Sequence, residues 1–267
     1  MCCCGVIALA AETHVGAGFA PPPVIGLDRG VLITVEGVWG AGKTTAASDL
    51  GRRLTAAGFS TAVLHYGPLD EVTGRLAELL DSRPLRARSG LGGYRLPHHA
   101  TVDVLARLAR EAFHHRHTYA AALAGHDVVV VDHGVYSKIA YAVTVLGEQH
   151  PHEQVQELLD RVRAVVDPWF LHPDLAVWLD VPWPLARERA IARGHGGGTP
   201  GSVERLVFLP RYAAAYRLVA ATYSGRVRRI LAAARCPPCV HTDVAAHVAA
   251  LLRTDLPAGP QPACSCP

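Results

Sequence analysis

Lysine is almost missing from this chain. Its 267 residues include 26 lysines and arginines, and only Lys43 and Lys138 are lysines, which leaves 24 arginines. Because arginine replaces lysine at little cost on a solvated surface, codon bias in a GC-rich genome is the simplest explanation of this skew. The two lysines that remain therefore draw attention to their positions.

Long basic runs and long apolar runs are also missing. The formal net charge is only +3, and without a basic cluster of the usual length the chain is a poor candidate for nucleic-acid binding. No apolar stretch reaches the roughly 18 to 20 residues that a membrane-spanning helix needs. A secretory signal has a basic segment before its apolar run, and residues 1–23 have no such segment. We therefore expect a cytoplasmic protein without a nucleic-acid or membrane partner.

The seven cysteines lie near the two ends of the chain, three of them within the first four residues. Near the other end, Cys236-Pro-Pro-Cys239 is followed by Cys264 and Cys266. These four thiols suit a zinc site, and the first pair alone suits a redox dithiol. Reduced thiols on poorly ordered ends are the favoured interpretation, because the second pair lacks the usual two-residue spacer.

Apolar runs alternate with helical patterns along most of the chain, which predicts an α/β fold with a parallel sheet flanked by helices. Predicted strands cover residues 31–36, 60–65, 126–132 and 174–181, with a short one near 239–241. Predicted helices cover residues 41–57, 70–80, 100–124, 137–146, 153–166, 184–193, 203–220 and 243–252. Residues 81–99 contain prolines and glycines without an apolar period, which predicts a loop.

These elements predict one domain over residues 30–254. We expect residues 1–29 to form a poorly ordered extension and residues 255–267 a flexible tail. The glycines and proline near residues 194–202 predict a small flexible lid segment.

A phosphate-binding loop is the most specific motif of the sequence. The pattern G-x-x-x-x-G-K-[ST] falls between a predicted strand and a predicted helix, which is the context that supports it. Backbone N–H groups and the helix N-terminus would bind the phosphates of ATP, Lys43 would reach the β and γ phosphates, and Thr44 would bind Mg²⁺. The predicted ATP-binding residues are Gly37, Val38, Trp39, Gly40, Ala41, Gly42, Lys43, Thr44 and Thr45.

Asp132 ends a run of four valines, so in a parallel sheet it would emerge at the same edge as the phosphate loop. There it would hold Mg²⁺, partly through water, or accept a hydrogen bond from the acceptor substrate. A carboxylate at a strand end also serves as a plain helix cap, and that alternative stays open.

With these motifs in place, the chain resembles the thymidylate kinases among the P-loop nucleoside monophosphate kinases. The resemblance covers about residues 31–252 and rests on segments 35–45, 69–80, 132–141, 173–181, 187–193 and 207–216. It implies ATP and Mg²⁺ at the phosphate loop, a nucleotide-like acceptor opposite, dTMP as the default acceptor, and a homodimer.

The resemblance also implies roles for individual residues. Lys43 and Asp132 would be catalytic, and so would Arg189 and Arg193, because Gly40 stands where the loop arginine of some family members would be. The residues implied for acceptor binding are Arg110, His133, Ser137 and Tyr141.

Several acceptor contacts of the family are replaced here. Trp39 replaces a carboxylate and His133 replaces an arginine. Ala106 replaces an aromatic residue, and Ala142 replaces a glutamine. These changes suggest a modified acceptor, since a sugar hydroxyl facing Trp39 would lose its partner. The alternatives are a kinase for a nucleoside or another small molecule, and a nucleotide-binding protein without turnover.

Other polar residues carry weaker signals. His114, His115 and His117 share a predicted helix, and we expect them to face the surface or the substrate rather than a metal. The sequence assigns no role to Lys138.

Overall fold

The computed structural model describes residues 29–65, 71–81, 86–88, 95–97, 99–195, 200–233 and 235–257. A five-stranded parallel sheet has the strand order β2-β5-β1-β6-β7, and a separate antiparallel pair consists of β3 and β4. The strands are β1 (Val31–Glu36), β2 (Thr61–Leu64), β3 (Arg86–Arg88), β4 (Arg95–Pro97), β5 (Val128–Asp132), β6 (Leu175–Asp180) and β7 (Val227–Leu231).

Helices connect the parallel strands. They are α1 (Lys43–Ala56), α2 (Glu71–Asp81), α3 (Ala100–Phe113), α4 (Ala120–Gly125), α5 (Val135–Gln149), α6 (Val155–Trp169), α7 (Trp183–Ala190), α8 (Pro200–Thr222) and α9 (Pro237–Leu252). Wider π-helical turns over His114–Tyr119 and Ile191–His195 extend α3 and α7. The parallel sheet with flanking helices confirms the predicted fold class.

The strands β1 and β5 are buried along their whole length at the centre of the sheet. They run parallel, with Val35 beside Asp132 and, on the other side of β1, Glu36 beside Trp178 of β6. The carboxyl ends of these strands therefore bring Glu36 and Asp132 to one edge of the sheet, as predicted for Asp132.

The end of the sheet differs from the prediction. Residues 239–241, predicted as a strand, lie in α9, because Pro237 and Pro238 occupy first-turn positions where a helix tolerates proline. The last strand is instead β7 at the sheet edge. Its exposed Arg228 and Arg229 hide the apolar pattern by which buried strands are recognised.

Two other predictions agree with the structure only in part. Residues 81–99 were predicted to be a loop without strands, but they contain the β3–β4 pair. Within the predicted lid, α8 already begins at Pro200, and residues 196–199 lie outside the described part. The lid, the N-terminal extension and the tail beyond residue 257 remain predictions. Among the described helices, none combines the length and the apolar character needed to cross a membrane.

Candidate functional site

The phosphate loop joins β1 to α1 and curls over the N-terminus of α1. Gly40 has a φ of 83°, and a β-carbon there would lie 2.0 Å from the carbonyl oxygen of Ala186 on α7. Gly42, with a φ of 94°, is the residue before the first turn of α1. Both positions therefore require glycine, and the strand–loop–helix setting that the motif predicts is confirmed.

Lys43 is the first residue of α1 and is buried, with 8% of its surface exposed. Its ammonium nitrogen donates a hydrogen bond to the Val38 carbonyl oxygen at 3.0 Å. Burial lowers the pKa of Lys43 to about 8, although the negative charges of Asp132 and Glu36 oppose this shift. The side chain thus keeps its charge at neutral pH while it lies inside the loop.

Thr44 and Asp132 meet at the carboxyl edge of the sheet. The Thr44 hydroxyl donates to Oδ2 of Asp132 at 2.6 Å, and Nδ1 of His65 lies 3.6 Å from the same oxygen. The other carboxylate oxygen, Oδ1, is buried without a hydrogen-bond partner among the described residues. A hydroxyl beside a carboxylate with an unused oxygen is a donor set that Mg²⁺ accepts, usually together with water and phosphate oxygens.

Glu36 is a polar residue whose importance the sequence reasoning missed. It is buried, and its Oε2 accepts hydrogen bonds from the Ser137 amide at 3.1 Å and from the Tyr216 hydroxyl at 3.1 Å. The Ser137 hydroxyl also contacts both Glu36 and Tyr216. The Tyr216 hydroxyl in turn accepts a hydrogen bond from the Gly37 amide at 3.0 Å. This Glu36–Ser137–Tyr216 network therefore links β1, α5 and α8 to the first residue of the phosphate loop.

The position of Ser137 in this network bears on its implied role. Ser137 has no exposed surface, and its hydroxyl contacts Glu36 and Tyr216. Its contact with an acceptor stays a prediction. Burial raises the pKa of Tyr216 well above its usual value, and the charge of Glu36 acts in the same direction. The tyrosine is therefore a neutral hydroxyl that can both donate and accept hydrogen bonds.

The sequence does contain a signal for the role of Glu36, because this residue directly precedes Gly37 of the phosphate loop. Tyr216 carries no such signal, since it lies 180 residues away from Glu36.

His133, which follows Asp132, has a left-handed backbone with a φ of 74°. Its amide donates a hydrogen bond to the Val35 carbonyl oxygen at 3.0 Å, which fixes the turn between β5 and α5. A non-glycine residue in this conformation is uncommon, and such strain is often found at functional sites.

Three charged residues form a buried cluster between α3 and α5, which we call the Arg110–Glu111–Lys138 cluster. Oε1 of Glu111 lies 3.1 Å from a guanidinium nitrogen of Arg110 and 3.4 Å from the ammonium nitrogen of Lys138. Burial alone would raise the pKa of Glu111, but the charges of Lys138 and Arg110 outweigh it and hold that pKa below its usual value. Lys138 also acts electrostatically on Lys43, so the cluster lies close to the phosphate loop.

Of the three histidines expected to face the surface or the substrate, His117 is exposed, and the other two are not on the surface. His114 and His115 are buried in the π-helical turn after α3. Burial lowers the pKa of His115 to about 4, and its Nδ1 accepts a hydrogen bond from the Leu171 amide at 3.0 Å. His115 is therefore a neutral structural residue. Among the described residues, no three His, Cys, Asp or Glu side chains group as metal ligands.

Aromatic side chains connect the phosphate loop to α8. The ring of Trp39 lies 4.9 Å from that of Tyr212 and 6.1 Å from that of Phe208. Tyr141, which is partly buried, packs 5.6 Å from Phe208, and the guanidinium of Arg107 lies 4.9 Å above its ring. Trp39 and Tyr141 therefore belong to one aromatic group beside the loop.

The two arginines proposed from the lid differ in their surroundings. Arg189 is partly buried on α7, and Arg193 is exposed in the π-helical turn that follows. The charge of Arg193 is among those that lower the pKa of Lys43, after the larger effect of burial. Arg193 is thus the arginine that lies within electrostatic reach of the phosphate loop.

A family model described as thymidylate kinase matches residues 35–244. This chain belongs to the thymidylate kinase family. Similar proteins include the thymidylate kinase of Gluconobacter oxydans, 30% identical over 202 residues, and that of Bordetella pertussis, 30% identical over 211 residues. The thymidylate kinase of Alkalilimnicola ehrlichii is 28% identical over 204 residues. Each alignment covers 76% of this chain and 86% of the relative.

The thymidylate kinase match confirms the resemblance seen in the sequence, and with it the prediction of an ATP-dependent nucleotide kinase. The matched residues include the phosphate loop from Gly37 onward, Asp132, the Arg110–Glu111–Lys138 cluster and Arg193. The match does not decide the roles of single residues.

Proposed function

We propose that this chain transfers the γ-phosphate of ATP to dTMP and forms dTDP and ADP. The observation that carries the proposal is the phosphate loop with its buried Lys43 beside the Thr44–Asp132 contact, in a chain of the thymidylate kinase family. Phosphoryl transfer asks a protein to hold two phosphates in line and to neutralise charge, and both tasks suit these residues.

The donor half of the reaction is assigned to residues 37–45. Backbone amides of the loop and the N-terminus of α1 bind the phosphates of ATP, and the Lys43 ammonium exchanges its bond to the Val38 carbonyl for bonds to phosphate oxygens. Thr44 and Asp132 hold Mg²⁺, which neutralises charge on the transferred group when it is bound. Arg193, supported by its position near Lys43, is the arginine that stabilises the transferred phosphate, with Arg189 as the second candidate.

The acceptor half is assigned to the other side of the site. The Arg110–Glu111–Lys138 cluster brings two cations beside one carboxylate. Arginine and lysine are the side chains that bind phosphate oxygens through charge-assisted hydrogen bonds. The two cations support a monophosphate acceptor over a neutral nucleoside. His133 and Tyr141 complete the acceptor contacts, and Ser137 acts by orienting Glu36.

One observation favours a second candidate, a kinase for a nucleoside monophosphate other than dTMP. Trp39 occupies the position of a family carboxylate, and its ring packs on Tyr212. An indole has no oxygen to accept a hydrogen bond from a sugar hydroxyl. The absence of an aromatic side chain at Ala106 points in the same direction.

An acceptor panel tests both candidates. ADP formation is measured with saturating Mg²⁺-ATP and with dTMP, dUMP, dCMP, dAMP, dGMP or thymidine as acceptor, and Lys43→Ala serves as the control for contaminating activity. We expect dTMP to give the highest kcat/KM and thymidine to give none. A preference for another monophosphate would replace the first candidate by the second. ADP formation that equals the Lys43→Ala background with every acceptor would refute the proposed kinase activity.

A further inference from the structure

The Cys236-Pro-Pro-Cys239 segment takes no part in the phosphoryl-transfer site described above. Cys236 directly precedes α9, and Cys239 lies in the first turn of that helix. Their sulfur atoms are 3.2 Å apart, and both residues are partly exposed. The two thiols therefore already lie side by side and can be reached from solvent.

The local backbone explains this pairing. The segment follows the edge strand β7 and starts a helix of 16 residues. Pro237 and Pro238 occupy helical positions that need no amide donor, and their rings fix the backbone between the two cysteines. Residues three apart lie on the same side of a helix, so this rigid turn presents both sulfurs together. The N-terminus of a helix also favours negative charge.

A cation lies beside the pair. Arg235 contacts Asp243 through its guanidinium, with one nitrogen 3.1 Å from Oδ1, and donates to the Cys239 carbonyl oxygen at 3.4 Å. The hydrogen bond to Asp243 raises the pKa of Arg235, and the charges of Cys239 and Cys236 act in the same direction. Arg235 is therefore held within electrostatic reach of both sulfurs. A Cys-x-x-Cys pair at a helix N-terminus near a cation is the setting in which thiols exchange with disulfides.

We propose that Cys236 and Cys239 are a redox-active dithiol, which a low-molecular-weight disulfide such as glutathione disulfide converts to an intramolecular disulfide. The thiolate of one cysteine attacks a glutathione sulfur, which forms a mixed disulfide and releases one glutathione thiolate. The second cysteine thiolate then attacks the protein sulfur of the mixed disulfide and releases the second glutathione. The two protons lost by the cysteines go to the two glutathione thiolates. The protein thus gives two electrons to the external disulfide.

Closing the internal disulfide requires only a small movement of the two sulfur atoms. The sulfur atoms must approach by about 1 Å to reach the ~2.05 Å of a disulfide bond. The pair follows β7, which is separated from β1 in the sheet by β6. The phosphate loop instead follows β1. The two sites therefore follow different strands, and the chemistry of the cysteine pair does not depend on the proposed kinase activity.

Mass spectrometry of the full-length chain tests the proposal. The reduced protein is equilibrated with mixtures of reduced and oxidised glutathione, acid-quenched, alkylated and digested. We expect the peptide that contains both cysteines to lose two hydrogen atoms and to escape alkylation as the share of oxidised glutathione rises. Reduction with dithiothreitol should restore two alkylated thiols. In Cys236→Ser and Cys239→Ser this internal disulfide cannot form, and the remaining thiol should instead hold glutathione.

Matched variants decide between sources of the signal. In Cys264→Ser/Cys266→Ser the internal disulfide should form as in the wild type. A disulfide between this pair and another cysteine would overturn the proposal, as would alkylation of both thiols at every glutathione ratio. Zinc bound by the purified chain and lost in Cys236→Ser would also overturn it, in favour of a metal site. Because the readout is mass, a failure of kinase activity leaves every one of these outcomes interpretable.

Discussion

At the scale of single residues, Lys43 has the clearest consequence. Its pKa of about 8 in the ligand-free protein means that part of the population loses the charge in mildly alkaline solution. Phosphate binding favours the protonated form, so ATP binding must take up a proton above that pH. We expect the affinity for ATP to be constant at neutral pH and to fall by up to about tenfold per unit above pH 8.

Titration calorimetry with Mg²⁺-ATP between pH 7 and pH 9.5 measures this dependence. Lys43→Arg is the matched control, because arginine keeps its charge over this range and the alkaline decline should disappear. Lys43→Ala should bind ATP weakly at every pH. An equal alkaline decline in the wild type and in Lys43→Arg would assign the titration to another group.

Lys138 has a consequence for the acceptor. If the Arg110–Glu111–Lys138 cluster binds the acceptor phosphate, Lys138→Met should raise the KM for the acceptor by roughly 10- to 100-fold, the value of one charge-assisted hydrogen bond. The KM for ATP should change little. Steady-state kinetics with each substrate varied in turn separates the two effects.

The control for Lys138 retains the charge. Lys138→Arg should recover much of the acceptor affinity if charge is what matters. A matching rise of both KM values in Lys138→Met, with a lower melting temperature, would show that the lysine only stabilises Glu111.

At the scale of elements, Tyr216 ties α8 to the phosphate loop. Tyr216→Phe removes a hydroxyl that accepts from the Gly37 amide and donates to Glu36. We expect a loss of about 1 to 3 kcal/mol of stability, because buried partners lose their hydrogen bond. ATP affinity should also fall, since the first amide of the loop loses its support. Urea unfolding and ATP titration measure the two effects.

Tyr212→Phe is the matched control for this prediction. Tyr212 lies one turn before Tyr216 on α8 and is equally buried, but its hydroxyl donates to the Ser137 carbonyl oxygen at 3.1 Å. A similar loss of stability with a smaller loss of ATP affinity is expected there. If both variants weaken ATP binding to the same extent, the link from α8 to the loop is not specific.

The elements that the sequence predicted well share one property. β1, β5 and β6 are apolar runs buried on both faces, so their sequence pattern reflects their position directly. β7 was not predicted, because it is an edge strand whose arginines face solvent and interrupt the apolar pattern. The start of α9 was predicted at residue 243, because residues 239–241 were interpreted as a strand. The helix instead begins at Pro237, where a first turn tolerates proline.

The candidate site divides in a similar way. The phosphate loop is local in sequence, and its setting between a strand and a helix was predicted correctly. Its contacts with ATP stay a prediction. The Glu36–Ser137–Tyr216 network joins residues from three distant segments, and the pairing of Glu111 with Lys138 joins two helices. Such contacts depend on packing between elements, for which a single sequence carries no periodic signal.

At the scale of the whole molecule, burial of the Lys43 charge in the phosphate loop opposes folding of the ligand-free protein. A lysine whose pKa falls from 10.5 to about 8 on folding binds fewer protons in the folded than in the unfolded chain between these values. Stability must therefore rise as the pH rises from 8 to 10.5, as far as this group is concerned. At neutral pH the buried charge opposes folding by as much as about 3 kcal/mol.

Lys43→Met should for this reason stabilise the ligand-free protein at pH 7 while it removes activity. Urea unfolding at pH 7 and pH 10 tests this with a defined pattern. We expect the variant to gain stability over the wild type at pH 7 and to lose most of this advantage at pH 10, where the wild-type lysine is neutral. A variant that is less stable than the wild type at both pH values would mean that the hydrogen bond from Lys43 to Val38 outweighs the cost of burying the charge. The loop would then be a stabilising element in its own right.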